Sequence, residues 1–225
     1  MSPTLFHTLR TTVIKEEDSW QAKSLLYETY CEEMGWFPSP NNPSELRVED
    51  YRGAKILEDK FPQVSIWMGV FNLQNELVGC ARVSGRHPVT QQIDMMDYMP
   101  EGSKFVFENI DSDGLCEASR MAVRKAYRYK GVVFLMLLKK AIEIACANRT
   151  TIFVTNAGRS WEILRKYATN TGVEFSYEER DPCPVKLSVI HLKDMERLLG
   201  EISRDIALIV GYGFPREKLV AHARL

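Results

Sequence analysis

A chain of 225 residues with 45% hydrophobic content can bury one substantial core, and it sits near the upper size at which a single domain is the default. Lys and Arg nearly cancel Asp and Glu, leaving a formal charge of -1, which excludes a global electrostatic signature for nucleic acid or an anionic membrane surface. The five cysteines, Cys31, Cys80, Cys116, Cys146 and Cys183, are scattered and form no CxxC pair, so reduced thiols are expected rather than a disulfide framework or a zinc site. No run reaches the roughly 18–20 apolar residues of a membrane span, and Met1 to Asp18 has no basic segment followed by an apolar one, so the expected location is the cytoplasm.

Trp20, Leu25, Leu26, Tyr30 and Met34 recur at helical spacing and predict an amphipathic helix over Ser19 to Gly35. Pro38, Pro40 and Pro43 then mark a long irregular segment reaching about Asp50, so 19–50 reads as a helix plus a mobile lid-like loop. Val64–Asn72 and Leu77–Val83 are strand-like runs joined by a turn, a hairpin signal. Beyond an irregular stretch from Ser84 to Gly102, the strand Gly114–Val123, the apolar helix Val132–Ala147 and the strand Thr150–Thr155 predict a parallel βαβ step. Trp161–Ala168 reads as helix, Val173–Tyr177 and Val185–Ile190 as extended, and Leu192–Val210 as a helix interrupted near Gly200, so that 192–225 forms a C-terminal helical extension. The fold class expected is α/β, one domain over 1–225, with a mixed central sheet flanked by helices.

The stretch Cys116-Glu117-Ala118-Ser119-Arg120 places a carboxylate and a guanidinium on an apolar strand. A basic, glycine-broken turn follows, Arg124 to Gly131, just ahead of the helix. Glu117-x-Ser119-Arg120, preceded by Val78-Gly79-Cys80-Ala81-Arg82 on an earlier strand, resembles the acyl-homoserine-lactone synthases and the related N-acyl amino acid synthases of the GNAT acyltransferase superfamily. The similarity takes in Tyr30, Trp36 and the pair Met95-Met96, and spans roughly Trp20 to Phe175. Arg128-Tyr129-Lys130-Gly131-Val132-Val133 resembles the GNAT phosphate-binding turn, with Val133 where the pattern has a small residue. The resemblance implies transfer of a fatty acyl group from an acyl carrier protein thioester, or from acyl-CoA, to the amino group of an amino acid or similar small amine, with no permanently bound cofactor. It also implies, for the lactone synthases, an arginine on the first helix and an Asp-x-x-Asp pair after the tryptophan at an S-adenosylmethionine site. Here the helix position falls near Leu26 or Tyr27, and the loop offers only Glu49-Asp50-Tyr51-Arg52, out of register. Acylation of a free amino acid therefore fits better than lactone formation; an ordinary acetyltransferase and a non-catalytic acyl-thioester-binding protein are the other readings.

Aminolysis of a thioester needs a neutral amine, an acceptor for its proton and donors for the oxyanion. Glu117 is the expected general base, acting through water; its alternative role is to pair with Arg120. Alternation puts Glu117 and Arg120 on opposite strand faces unless the strand bulges. Such a splay, as the resemblance implies, would free backbone amides from Met121 to Val123 for the acyl carbonyl. Arg82 and Arg120, costly to bury alone, each require an anion: Glu117, a loop carboxylate, or the carboxylate of the acceptor. Ser119 is a candidate donor to the acyl carbonyl, or a residue that satisfies its own backbone. Arg128, Lys130, Gly131 and Val132 are candidates to hold the pantetheine phosphate at the helix start, and the basic cluster with Lys139 and Lys140 is a candidate docking face for an acidic carrier protein. The resemblance implies that Tyr30 and Trp36 line the acceptor or acyl pocket, and that Tyr167 stands where GNAT enzymes have a tyrosine general acid. Cys116, on the face opposite Glu117, reads as a core thiol. Val132–Leu138 with Trp67, Met68, Phe71, Met95 and Met96 reads as ordinary core before acyl tunnel.

Overall fold

The structure, a computed structural model, describes residues 8–108, 110, 114–128, 131–156, 158–177 and 184–212. Strands β1 (Arg10–Val13), β4 (Ser65–Phe71), β5 (Leu77–Ser84), β6 (Gly114–Val123), β7 (Thr150–Asn156), β8 (Thr169–Phe175) and β9 (Val185–Ile190) form one mixed sheet in the order β1-β4-β5-β6-β7-β9-β8. The β4–β5 hairpin falls where the two strand-like runs and the turn between them predict. The β6–β7 pair is parallel and linked through helix α2 (Val132–Ala147), which is the expected βαβ step; the other pairings are antiparallel.

Period-two alternation sorts the strands into two faces. Met68, Val70, Cys116, Ala118, Ile152 and Val154 point to one side, where α2 and then α4 (Met195–Tyr212) cover them. The other side is covered in two patches: helix α1 (Ser19–Tyr27) packs on Trp67, Leu77 and Cys80, while short 3₁₀ turns around Met95 and Phe107 pack on Leu115, Phe153 and Leu187. Glu117 lies on this second side, between the patches.

Three expectations are corrected and one strand is added. The segment up to Asp50 is not wholly irregular: Arg47–Tyr51 (β2) and Ala54–Glu58 (β3) pair as a separate hairpin, turned by Arg52 and Gly53, both at positive φ. An additional edge strand, β1, precedes the first helix. That helix changes character after Tyr27, continuing as a π-helical turn over Glu28–Glu33 before Gly35, at φ 70°, ends it. Finally, α4 runs unbroken through Gly200, because Met195, Leu198, Ile202 and Ile209 all bury on α2 and outweigh the roughly 1 kcal/mol propensity cost of one glycine. Among the described residues, no helix is long and apolar enough to cross a membrane. The tail beyond Tyr212 lies outside the described residues.

Candidate active site

Strand β6 pairs with β7 only from Gly114 to Ala118, opposite Thr150 to Val154. Past that point β7 continues toward β9 while β6 stays with β5, so the strands part after Ala118, one residue beyond Glu117. At the same place β6 bulges: Ser119 opposes Arg82 and Ala122 opposes Cys80, leaving Arg120 and Met121 against the single residue Ala81, with Arg120 at φ 52°. The bulge brings Arg120 round to the side of Glu117 and Ser119, which resolves the conflict that strict alternation poses.

The amides expected at the splay are set by peptide alternation. Beyond the bulge the Met121 carbonyl accepts from Tyr30 Oη at 3.1 Å and the Val123 carbonyl from Arg128 Nε at 2.7 Å, whereas Arg124 N–H turns back to Val78 O. The peptide groups of Met121 and Val123 thus face away from β5, on the side that β7 has left.

Arg82 is 1% exposed, and the Arg120 side chain 9%. Of the anions expected for them, the structure supplies loop carboxylates rather than Glu117: Asp59, just after β3, and Asp94, at the turn before Met95. Arg82 bonds Asp59 Oδ2 at 2.5 Å and Asp94 Oδ2 at 3.1 Å; Arg120 bonds the same oxygens at 3.4 and 2.7 Å. Two guanidiniums and two carboxylates thus form a neutral buried quartet. Burial works against the charged form of Asp59, but Arg82 and Arg120 outweigh it and hold its carboxyl below the usual range. Glu49 and Asp50 instead make surface pairs with Arg47 and Lys55. Sequence reasoning missed both aspartates; the available signal was that two arginines in apolar strands call for two acids.

Glu117 is wholly buried. Oε2 accepts from the Met95 N–H at 3.0 Å, while Oε1 has no partner among the described residues, and neither does Ser84 Oγ, whose residue lies directly opposite in the β5–β6 register. With the quartet already balanced, Glu117 is the surplus acid. Burial pushes its carboxyl up to about 7, Asp94 pushes the same way, and Arg82, the Met95 N–H and Arg120 pull back less. A carboxyl poised near neutrality with a free lone pair suits proton transfer. Ser119 lies 3.4 Å from Arg82 Nη2, at the margin of a hydrogen bond.

The loop expected to be mobile is tied to this cluster: buried Ser44 donates to Asp94 Oδ1 and contacts Tyr98 Oη at 2.6 Å, and Asn42 bonds the backbone of Ser39 and Leu46. Tyr30 stacks edge-on against Trp36 with ring centroids 5.9 Å apart, and burial pushes its phenol up to about 12. A narrow cleft reaches the quartet from the α1 side, lined by Lys23, Glu58, Asp59, Trp67, Arg82 and Arg120; about one water molecule fits in it. Glu117 does not line this cleft.

At the far end of the splay, Gly131 takes a left-handed conformation, φ 68°, at the start of α2. Val133 does not crowd this turn; it is buried against Gly79, whose missing side chain leaves it room. Arg128 bonds both carboxylate oxygens of Glu33, and Arg124 pairs with Glu28 at 3.3 Å. These are exposed pairs of small worth. Lys130 lies outside the described residues. Gly131→Ala is expected to cost about 1–2 kcal/mol in chemical denaturation, because an L residue is strained there and its Cβ would stand 2.5 Å from Ile163 Cδ1.

Other candidates are not brought to the site. Tyr167 donates to Asp205, which also pairs with Lys166, so it fastens α4 to the chain before β8. Tyr167→Phe is expected to lower stability by about 1–2 kcal/mol while leaving turnover per folded molecule unchanged. Cys116 is a core thiol beside Thr150, pushed up to about 11 by burial. Trp67, Met68 and Met95 belong to three different apolar clusters rather than to one tunnel wall. Lys139 and Lys140 both reach Glu143.

A mixed sheet that splays beside the middle of the chain, with a glycine-started helix at the mouth of the splay, is the fold of the GNAT-type acyltransferases. No family model and no curated protein sequence matches the chain. Among solved structures, it is similar to TofI in a ternary complex with an inhibitor and MTA, with TM-score 0.58 and 18% identity over 85% of this chain and 96% of that one. It is similar also to BjaI, a CoA-dependent acyl-homoserine lactone synthase with SAM and isopentyl-CoA (0.56, 14%, 89% of each chain), and to FeeM, an N-acyl amino acid synthase from uncultured soil microbes (0.55, 12%, 84% and 95%).

Proposed function

We propose that the chain is an N-acyltransferase that moves a fatty acyl group from an acyl carrier protein or coenzyme A thioester to the amine of an amino acid or similar small molecule. The observation that carries this reading is Glu117: an unbalanced, buried carboxyl with one oxygen that has no partner among the described residues, set where β6 and β7 part. In this reading the thioester lies in the splay with its carbonyl toward the peptide N–H groups of Met121 and Val123. The amine nitrogen attacks the carbonyl carbon, the oxyanion is held by those amides, and the amine proton passes to Glu117 Oε1, directly or through water. Collapse breaks the C–S bond, and the proton ends on the departing thiolate. The pantetheine phosphate sits at the start of α2 beside Gly131 and Val132, where helix N–H groups favour an anion and Arg128, once released by Glu33, adds charge.

A second reading, lactone formation from S-adenosylmethionine, is favoured by one observation: the cleft is lined by two acids, Glu58 and Asp59. Incubating the purified chain with acyl-CoA or acyl carrier protein thioesters, together with either free amino acids or S-adenosylmethionine, and identifying products by mass spectrometry separates the two. An N-acyl amino acid supports the first and an acyl lactone the second. If no product depends on Glu117, both fail and a thioester-binding role without turnover takes their place.

A further inference from the structure

Three cations reach the cleft beside the quartet, and they are not equivalent. Arg82 and Arg120 are each shared between Asp59 and Asp94, so an incoming anion could claim either one only by unbalancing four buried charges. Lys23, on α1, is held by one carboxylate among the described residues: its Nζ bonds Glu58 Oε1 at 2.8 Å and Oε2 at 2.6 Å. The pair stands on the cleft wall with side chains only 12% and 18% exposed, a degree of burial unusual for a surface ion pair. Glu58 ends β3, in the hairpin outside the main sheet, so it can turn outward without disturbing the core.

We propose that Lys23 is the specificity residue for the acceptor: it binds a carboxylate carried by the amine, which displaces Glu58 from it. Glu58 occupies in the free protein the place that the acceptor carboxylate takes when bound. The exchange is one anion for another at Lys23 and leaves the quartet intact. It makes the acceptor an amino acid rather than a simple alkylamine, and it rests on the acyl-transfer reading above.

The test is calorimetric binding of free L-amino acids and 4-aminobutyrate, their methyl esters and their decarboxylated amines to the full chain. The proteins are the wild type, Lys23→Met, Glu58→Gln and the double variant Lys23→Met/Glu58→Gln. The wild type is expected to bind at least one free acid about tenfold more tightly than its ester or amine. Lys23→Met abolishes that difference, Glu58→Gln tightens acid binding severalfold, and the double variant, with no charge left unpaired, still fails to discriminate. A pair that only braces α1 against β3 predicts altered melting temperatures with discrimination untouched, and that result overturns the proposal. So does a wild type that binds none of the probes or treats acid and ester alike. Lys23-dependent discrimination without acyl product leaves the subsite standing and sinks the transfer reading; product formed equally from acid and ester does the reverse.

Discussion

Glu117→Gln is expected to remove turnover and stabilise the fold at the same time. The loss of rate follows from the proton-acceptor role and should be on the order of 10²–10⁴ in kcat. The gain follows from linkage. The carboxyl sits at about 7 in the folded chain against an ordinary 4.5, so between those values the folded state holds a proton that the unfolded state has released. Glu117 is therefore neutral in its effect below about pH 4.5, destabilises progressively as pH rises through 7, and costs about 3 kcal/mol above that. Glutamine carries no such cost. Melting curves of the two proteins should nearly coincide at pH 4.5 and separate by several degrees at pH 8, with the variant the more stable. The wild-type rate should rise along an acidic limb with an apparent midpoint near 7. A variant no more stable at pH 8 than at pH 5, relative to wild type, would show that Glu117 is an ordinary ionised partner of Arg82 and Arg120.

Asp94→Asn is expected to destabilise the chain and shift that acidic limb downward. Asp94 neutralises both guanidiniums and pushes the Glu117 carboxyl up. Without its charge the cluster holds two cations and one anion, a change that costs about 3 kcal/mol when a buried pair is broken. Glu117 then becomes the missing counter-ion, so its proton affinity falls. Activity should fall with it, since a weaker base removes the amine proton less readily. Titration of the Glu117 carboxyl by carbon-13 NMR in both proteins reads the shift directly. Combining Asp94→Asn with Glu117→Gln removes the substitute anion as well, and the double variant should be less stable than the sum of the two changes predicts. Additive effects would mean that the two carboxyls do not share the arginines.

What could be read from the sequence follows the reach of each interaction. β6 and α2 were legible because an apolar run, a glycine and a switch in period are local signals, and the β4–β5 hairpin because its apolar runs are broken by turn residues. The β2–β3 hairpin was not, since Arg47-Val48-Glu49-Asp50-Tyr51 is largely exposed on both faces and shows no alternation. Glu117 stood out as an acid in an apolar strand. Asp59 and Asp94 did not, because isolated aspartates in polar loops look alike until the fold brings them to arginines many residues away. Tyr167 fails as a site residue for the same reason: its partner, Asp205, lies on the last helix. Gly200 misled because a propensity cost is visible in sequence and the packing that overrides it is not.

The short turn at Asp94-Met95 bonds to three things at once. Its carboxylate meets the arginines and Ser44 of the loop, and the next peptide N–H meets Glu117. Departure of the loop and the protonation of the base are thereby geared to one another, so an exchange of residues 37–46 with the corresponding segment of a relative would retune the chemistry along with access to it, and a chimera that keeps the host's pH profile must also carry a hydroxyl where Ser44 stands.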